Sequence, residues 1–559
     1  MSERISRRDV FRTGAAAGAA AALAGAGAGP AAASPSTQDG GDEGTLTLVN
    51  GKIHTMDANN SVVRNVSIRD GRFVSAGDSA ANPGPGSKVI NLRGRTVVPG
   101  IIDNHNHIVL MGNRPGYHTP LENAYSIADV QSIYAQRAAG IPAGAWITTI
   151  GGFHRNHLVP TDQTPRFPTR AELDEAVPHN PVYISESFSG PSATNSLGKA
   201  FFDGLGIPVG DDGSIAGGFG ATSPTGRATL ALRQTLLNFD ERKRGAIDAL
   251  AYGLSLGVTT HLDQGAFQAT GTPSDGAAHE DNFTMHLPFL AVHDDGDLRA
   301  RLRINFLHME SDQATPELVE RLKNAFQFFG DDFTRTGGIG EFIAQGTGPT
   351  SPFLNAARRV AEAGWRAEVH SLSTTDFQQE IQAFEMVNDE FPITDLRWVV
   401  AHVPFITEEY VRRHKALGGG LSLTGWRYLA GSPASNGPPF RMIVDNGINA
   451  GMSSDGMQIA PMNPWIHMYY ATTGLNARGV LINGGQQISR QEVLRLYTRE
   501  NGWFLREEDT LGTIETGKLA DLVVLSEDYF SVPDDRLRHI RSVLTIVDGQ
   551  VVHDTGEVS

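Results

Sequence analysis

The 559-residue chain contains no cysteine. That absence excludes disulfides, thiolate nucleophiles, zinc fingers and iron–sulfur clusters together. Any metal must therefore be held by His, Asp or Glu. Positive charge is also scarce: 46 Lys and Arg stand against 62 Asp and Glu, a net charge of −16. A surface that acidic repels phosphate backbones and argues against nucleic acid as a partner. Beyond the N-terminal leader, no apolar run is long enough to span a bilayer. The 40% hydrophobic and 19% charged fractions suit a folded globular protein rather than a disordered one. At roughly 150 residues per domain the length predicts about three or four domains. That expectation is soft, because one α/β barrel absorbs about 250 residues or more.

Ser6-Arg7-Arg8-Asp9-Val10-Phe11-Arg12 places paired arginines before an uncharged, Ala- and Gly-rich stretch from Thr13 to Ala33. The stretch closes on Ala31-Ala32-Ala33, small residues of the kind a signal peptidase accepts. The segment resembles a twin-arginine (Tat) export signal, which makes 1–33 the signal peptide. The resemblance implies the Tat machinery as a partner and a periplasmic or extracellular destination. Alanine and glycine supply too little transfer energy to anchor a span firmly, so no stable membrane insertion is expected after processing. Residues 34–44 read as a flexible linker.

Residues 45–95 alternate apolar and polar positions in short runs broken by glycine, and residues 510–559 do the same. Asn50-Gly51, Asp70-Gly71 and Asp548-Gly549 are two-residue hairpin signals. Neither end is large enough to bury a core alone, so the two are expected to pair into one composite β-sandwich. Residues 96–509 between them suit an α/β architecture, a (β/α)8 TIM-like barrel with insertions. Ten strand candidates appear there: 96–109, 146–150, 182–185, 257–263, 303–308, 338–343, 366–370, 398–401, 421–423 and 449–453. Helical stretches at 315–329, 354–363, 376–387 and 407–417 sit between several of them. Ten exceeds eight, so one or two belong to insertions.

Polar residues at the ends of these runs carry the chemistry. His105 and His107 follow VVPGIID, and two residues apart on a strand point to one face. Glu341, His370, His402 and Asp455 stand at or just beyond four further runs. A lone His-x-His is weak evidence for metal. Six metal-competent residues at strand C-termini, where a barrel places its active site, are much stronger evidence. Zinc fits the ligand types best, and Mn, Fe and Co accept the same nitrogen and oxygen set.

VVPGIIDNHNH resembles the PGxIDxHxH signature of the amidohydrolase superfamily, and LGTIETGKLADLVVL its C-terminal signature. PTRAELDEAVPHNPVYI, GVTTHLD and TRENGWFLREEDTLGTIETGK are similar to the YtcJ-like amidohydrolase-3 branch, which includes N-substituted formamide deformylases. The resemblance implies that His105, His107 and Asp455 bind one metal and His370 and His402 a second. Glu341 falls where the branch commonly has a carboxylated lysine bridging both ions, and a glutamate offers the same two oxygens on a shorter arm. Two other departures bear on substrate. His370-Ser371-Leu372-Ser373-Thr374 stands where many members read His-Ala-Ile-Gly-Asp, and Gly190 replaces a common histidine.

These residues predict a small-molecule hydrolase that cleaves a C–N bond, an amide or N-acyl group, with a metal-bound hydroxide. Asp455 is the expected general base and acid. Two alternatives stay open: a mononuclear enzyme performing deamination or decarboxylation, and an exported metal-containing binding protein without turnover. Intact Asp455 argues against the second, since a binder needs no proton shuttle. His154, Trp426 and Tyr428 are candidates for the substrate pocket, with loop or packing roles as the alternative. His157 shares the His154 loop, His308 reads as a core histidine, and Asp263 as a residue that orients a ligand.

Overall fold

The computed structural model describes residues 45–79, 86–160, 162–187, 189–218, 220, 222–265, 284–457 and 459–558. The expected signal peptide and linker lie outside the described residues.

The alternating segments near both chain ends form two sheets. One has four strands in the order Arg72–Gly77, Asn65–Arg69, Leu46–Val49, Lys88–Asn91. The other has six, in the order Gln550–Asp554, Ser542–Val547, Leu522–Leu525, Thr96–Pro99, Lys52–His54, Val62–Val63. The chain ends meet inside the second sheet, where Leu522 pairs with Pro99 and Val524 with Val97. Leu48, Ile68 and Phe73 of the first sheet share one buried cluster with Val97, Leu522, Val524 and Ile546 of the second. Asp70-Gly71 and Asp548-Gly549 turn the hairpins as expected, with positive φ at all four residues.

Asn50-Gly51 does not make a hairpin. The strands on either side of it belong to different sheets, so the pair serves as a crossing point. Gly51 is needed there for room: a Cβ would lie 2.5 Å from Leu92 Cδ1.

Two four-stranded parallel sheets occupy the middle of the chain. One runs Thr334–Ile339, Arg301–Phe306, Val258–Asp263, Ile101–Asn106; the other runs Glu368–Ser371, Val399–His402, Gly420–Thr424, Asn449–Ser453. Most of their residues are buried, the polar ones included, as expected of parallel strands covered on both faces. A parallel bridge from Ile339 to Ala367 connects one pair of sheet edges. At the opposite edges the Asp455 N–H donates to the His105 carbonyl at 2.9 Å. Helices Phe353–Glu362, Thr374–Glu390, Glu408–Ala416 and Phe440–Asn446 follow strands and send Val360, Phe384, Val411 and Phe440 into the largest apolar cluster.

Seven of the ten strand candidates lie in these two sheets, and the candidate 96–109 is divided, Thr96–Pro99 joining the six-stranded end sheet and Ile101–Asn106 a central one. The other two, Ile147–Ile150 and Val182–Ser185, lie in a separate five-stranded sheet inserted between Ile101–Asn106 and Val258–Asp263. From residue 45 onward the chain forms one compact unit. Among the described residues no helix is long and apolar enough to cross a membrane.

Candidate metal centre

Parallel strands deliver their C-terminal ends to one side, and the six singled-out polar residues converge there. His105 is the next-to-last residue of the strand Ile101–Asn106, with Nε2 toward the cluster. His107 lies just beyond it, with Nε2 3.3 Å from Asp455 Oδ1 and 3.1 Å from Glu341 Oε1. His105 Nε2 stands 3.4 Å from Glu341 Oε2 and 3.8 Å from Asp455 Oδ1. On the other side Glu341 Oε2 is 2.6 Å from His370 Nδ1 and 3.2 Å from His402 Nε2. His402 Nε2 is in turn 3.0 Å from His370 Nδ1. Two metal-competent triads result, His105–His107–Glu341 and Glu341–His370–His402, with one glutamate in both. His105, His402 and Asp455 make a third grouping that links them.

His402 and Asp455 have φ values of 70° and 57°, left-handed backbone at residues that carry a Cβ. Each such position costs on the order of 1–2 kcal/mol and persists only where the surroundings impose it.

The potential in the cluster is strongly negative. Burial disfavours a charged His105, yet hydrogen bonds to Glu341 and Glu368 outweigh it and hold the imidazole up at about 10. Burial likewise opposes charge on His107, and Asp455 and Glu341 raise it well above its ordinary value. Burial acts to raise Glu341, but the charge of His370 and hydrogen bonds from His105 and His107 carry it well below the usual carboxylate range. Asp455 is also lowered, with His402 and His107 overcoming burial. Two buried carboxylates that must be compensated by positive charge will take it from protons or from a cation. The nitrogen and oxygen donors fit a divalent metal: His105 Nε2, Glu341 Oε1 and Asp455 Oδ2 each face another member of the cluster at 3–4 Å without hydrogen bonds of good geometry.

A second layer of contacts fixes these side chains. His105 Nδ1 is 2.6 Å from Glu368 Oε1, whose other oxygen accepts from Arg366 at 2.7 Å. His107 Nδ1 donates to the Gly265 carbonyl at 2.7 Å. Asp263 anchors that turn by accepting from the Gly265 N–H at 2.9 Å. Asp103 accepts from the Ser454 N–H at 2.9 Å and so holds the segment leading to Asp455.

The weaker candidates have other surroundings. His154 is partly exposed, accepts from the Asn156 N–H at 3.1 Å, and lies 3.8 Å from Glu186. Trp426 sits beneath the Arg427 guanidinium, 4.0 Å from its ring centre. Tyr428 is fully buried, accepts from Arg538 at 3.1 Å, and packs against His157 and Tyr469. Burial, with Arg538 adding to it, pushes His157 down to about 3, so that ring is neutral. His308 is buried, as a core histidine should be, but both ring nitrogens lack hydrogen bonds and it groups with Glu310 and Glu317. Glu310 is itself committed, since it accepts from the Glu317 and Leu318 N–H groups at 2.8 Å.

Sequence reasoning missed Glu368. A signal was present: Arg366, Glu368 and His370 recur every second residue, which puts a charged face on an otherwise buried strand.

The model of the amidohydrolase family matches residues 88–553. The chain is 24% identical to an N-substituted formamide deformylase from Arthrobacter pascens over 554 aligned residues, covering 90% of this chain and 97% of that one. It is 22% identical to the putative amidohydrolase YtcJ of Bacillus subtilis, covering 90% and 98%. Among solved structures, an uncharacterized metal-dependent hydrolase from Pyrococcus furiosus superimposes with a TM-score of 0.56 at 19% identity, over 87% of this chain and 100% of that one. Atrazine chlorohydrolase TrzN from Arthrobacter aurescens, complexed with zinc, gives 0.55 at 15% identity, over 91% and 95%. The chain belongs to the amidohydrolase family of metal-dependent hydrolases.

Proposed function

We propose that the protein hydrolyses a C–N bond, an amide or N-acyl group, at a centre for two divalent metals, most simply zinc. The observation that carries this reading is Glu341, which belongs to two metal-competent triads: Oε1 lies toward His107, and Oε2 toward His370 and His402 with His105 at 3.4 Å. His105, His107 and Asp455 would hold one ion and His370 and His402 the other. When bound, the metals would polarise the carbonyl and make water nucleophilic at neutral pH.

The remaining work falls to the chain. Asp455 turns Oδ1 toward His107, while its buried Oδ2 has no hydrogen bond. Held below the usual carboxylate range by His402 and His107, it is ionised at neutral pH, so Oδ2 accepts the proton of the attacking water and returns it to the departing nitrogen. Glu368 keeps the His105 ring in one tautomer, with Nε2 directed inward. The name of the formamide deformylase relative supports small N-acyl amines as the first substrates to try.

The reading includes an architecture and a destination. The two parallel four-stranded sheets, linked at both pairs of edges, would form one eight-stranded barrel, and the two end sheets one composite sandwich. Export by the Tat pathway would be blocked by changing both Arg7 and Arg8 to lysine, leaving the protein in the cytoplasm.

The test is metal content per chain on leaderless protein, beside a Glu341→Ala variant, with hydrolysis of an amide panel. Two metals falling to one or none in the variant, with amide turnover in the parent, is the expected result. One metal in both would remove Glu341 from the centre and overturn the binuclear reading.

A further inference from the structure

Glu380 lies on the helix Thr374–Glu390, the element that follows the His370 strand. It has no exposed surface, and neither carboxyl oxygen has a hydrogen-bond partner. The Ser371 hydroxyl is its near polar neighbour, close enough to act on the carboxyl but without a hydrogen bond of ordinary geometry. Orphaned polar atoms this deep are rare in folded proteins and ask for a reason.

The surroundings supply one. A cavity of about 120 Å3 is lined by Glu380 together with Glu341 and His370 of the candidate metal centre. Ile343, Phe353 and Val369 give it apolar walls. A cavity of about 150 Å3 holds benzene, so this one takes an arm of about five or six heavy atoms. Asp376, also in the lining, is occupied: Oδ2 accepts from the Leu372 and Ser373 N–H groups at 3.2 and 2.9 Å. Among the described residues no lysine or arginine lines the space. Glu380 is thus a buried carboxyl in a recess with apolar walls on one side and the residues of the candidate metal centre, Glu341 and His370, on the other.

We propose that Glu380 determines substrate specificity, pairing its carboxyl with a neutral donor–acceptor group, of carboxamide or urea type, at the end of a short apolar arm of the substrate. A buried carboxyl with no cation beside it is neutral, because ionising it in low dielectric is far costlier than keeping its proton. Burial, reinforced by Asp376 and opposed by Ser371, pushes this carboxyl well above its ordinary range. A neutral carboxyl offers one O–H donor and one carbonyl acceptor, the complement of a primary amide. A site built to bond such a group rejects the analogue that lacks it, since its own buried atoms are then left unpaired.

This inference rests on the hydrolase reading, so its test separates the two. Metal-loaded leaderless enzyme, with its Glu380→Gln and Glu380→Leu variants, is assayed on three formamides. These are N-formyl-4-aminobutanamide, N-formyl-4-methylpentylamine as the apolar isostere, and mono-N-formyl-1,4-diaminobutane as the cationic one. Binding of unreactive butanamide is followed by calorimetry in parallel. The expected result is a preference for the carboxamide arm over the isostere of about tenfold or more in kcat/KM. Glu380→Gln, which also carries one donor and one acceptor, should keep most of that ratio, and Glu380→Leu should collapse it to about one. Butanamide binding should weaken about tenfold in Glu380→Leu only. Equal ratios and equal butanamide binding in all three proteins would overturn the proposal, leaving Glu380 a structural residue. A preference for the cationic arm that Glu380→Gln abolishes would also overturn it, in favour of a carboxylate site. If no amide is hydrolysed the function fails instead, and butanamide binding still decides the role of Glu380.

Discussion

His105 Nδ1 and Glu368 Oε1 stand 2.6 Å apart with both side chains fully buried. Arg366 holds the far oxygen of Glu368 at 2.7 Å, and burial of the carboxyl is outweighed by Arg366 and His105, which keep it ionised. A carboxylate in that position makes the imidazole a better donor and stops it from rotating. Glu368→Gln should therefore weaken metal binding about 10- to 100-fold without unfolding the protein. Competition against a chromogenic chelator measures this, and unchanged affinity would mean that Glu368 only balances Arg366.

Asp455→Asn keeps an oxygen toward His107 and removes the base. The expected loss is in kcat, on the order of 10²- to 10⁴-fold, with metal content at one ion or more per chain. Steady-state kinetics combined with metal analysis of the same sample separates this from simple loss of metal. A variant that retains full turnover would exclude Asp455 as the proton carrier.

Much of this arrangement was legible from residue order alone. His105, His107, Glu341, His370, His402 and Asp455 each end or follow an apolar run, and parallel strands bring such ends together. Glu368 was not legible as a partner of His105, because they are 263 positions apart and only folding brings them together. The Ile147–Ile150 and Val182–Ser185 strands look locally like those of the central sheets, since burial on both faces erases the alternation that would distinguish them. Asn50-Gly51 failed as a hairpin signal because only Asn50 takes the left-handed backbone there, whereas both residues do in the Asp70-Gly71 and Asp548-Gly549 hairpins. Glu380 occupies what its helical spacing marks as a core position, so its missing hydrogen bonds could be seen only in three dimensions.

At the other end of the central strands, Arg301 is fully buried, with Nε 2.7 Å and Nη2 2.8 Å from the two oxygens of Asp521. Asp521 precedes the strand Leu522–Leu525, so this bidentate pair ties a central strand to the six-stranded sheet. Asp521→Ala leaves a buried guanidinium with the Asp332 carbonyl and a longer contact to Asp548 at 3.4 Å. Breaking one side of a buried pair costs about 3–5 kcal/mol, and the residual partners place this case near the lower end. Denaturant unfolding followed by fluorescence should show that loss, with metal content of the folded protein unchanged. A loss below about 1 kcal/mol would show that Asp548 takes over the pairing.

Removal of metal should reverse the pH dependence of stability. In the metal-free chain His105 is held up at about 10, above its ordinary 6.5, and His107 is raised as well. Groups raised by folding contribute stability that is fully present below their unfolded value and lost as pH rises through the folded one. Glu341 and Asp455 are lowered, so their contribution is present above their unfolded values near 4 and lost as pH falls further. Metal-free protein should thus be most stable at about pH 5–6.5 and weaken steadily toward pH 10. Metal ions need these same imidazoles without their added protons, so metal binding strengthens over that interval. The gap in Tm between metal-loaded and chelator-treated protein should accordingly widen by several degrees from pH 6 to pH 9. A constant gap would mean that the histidines enter the metal-free fold already neutral, and that Glu341 and Asp455 draw their compensating charge from elsewhere.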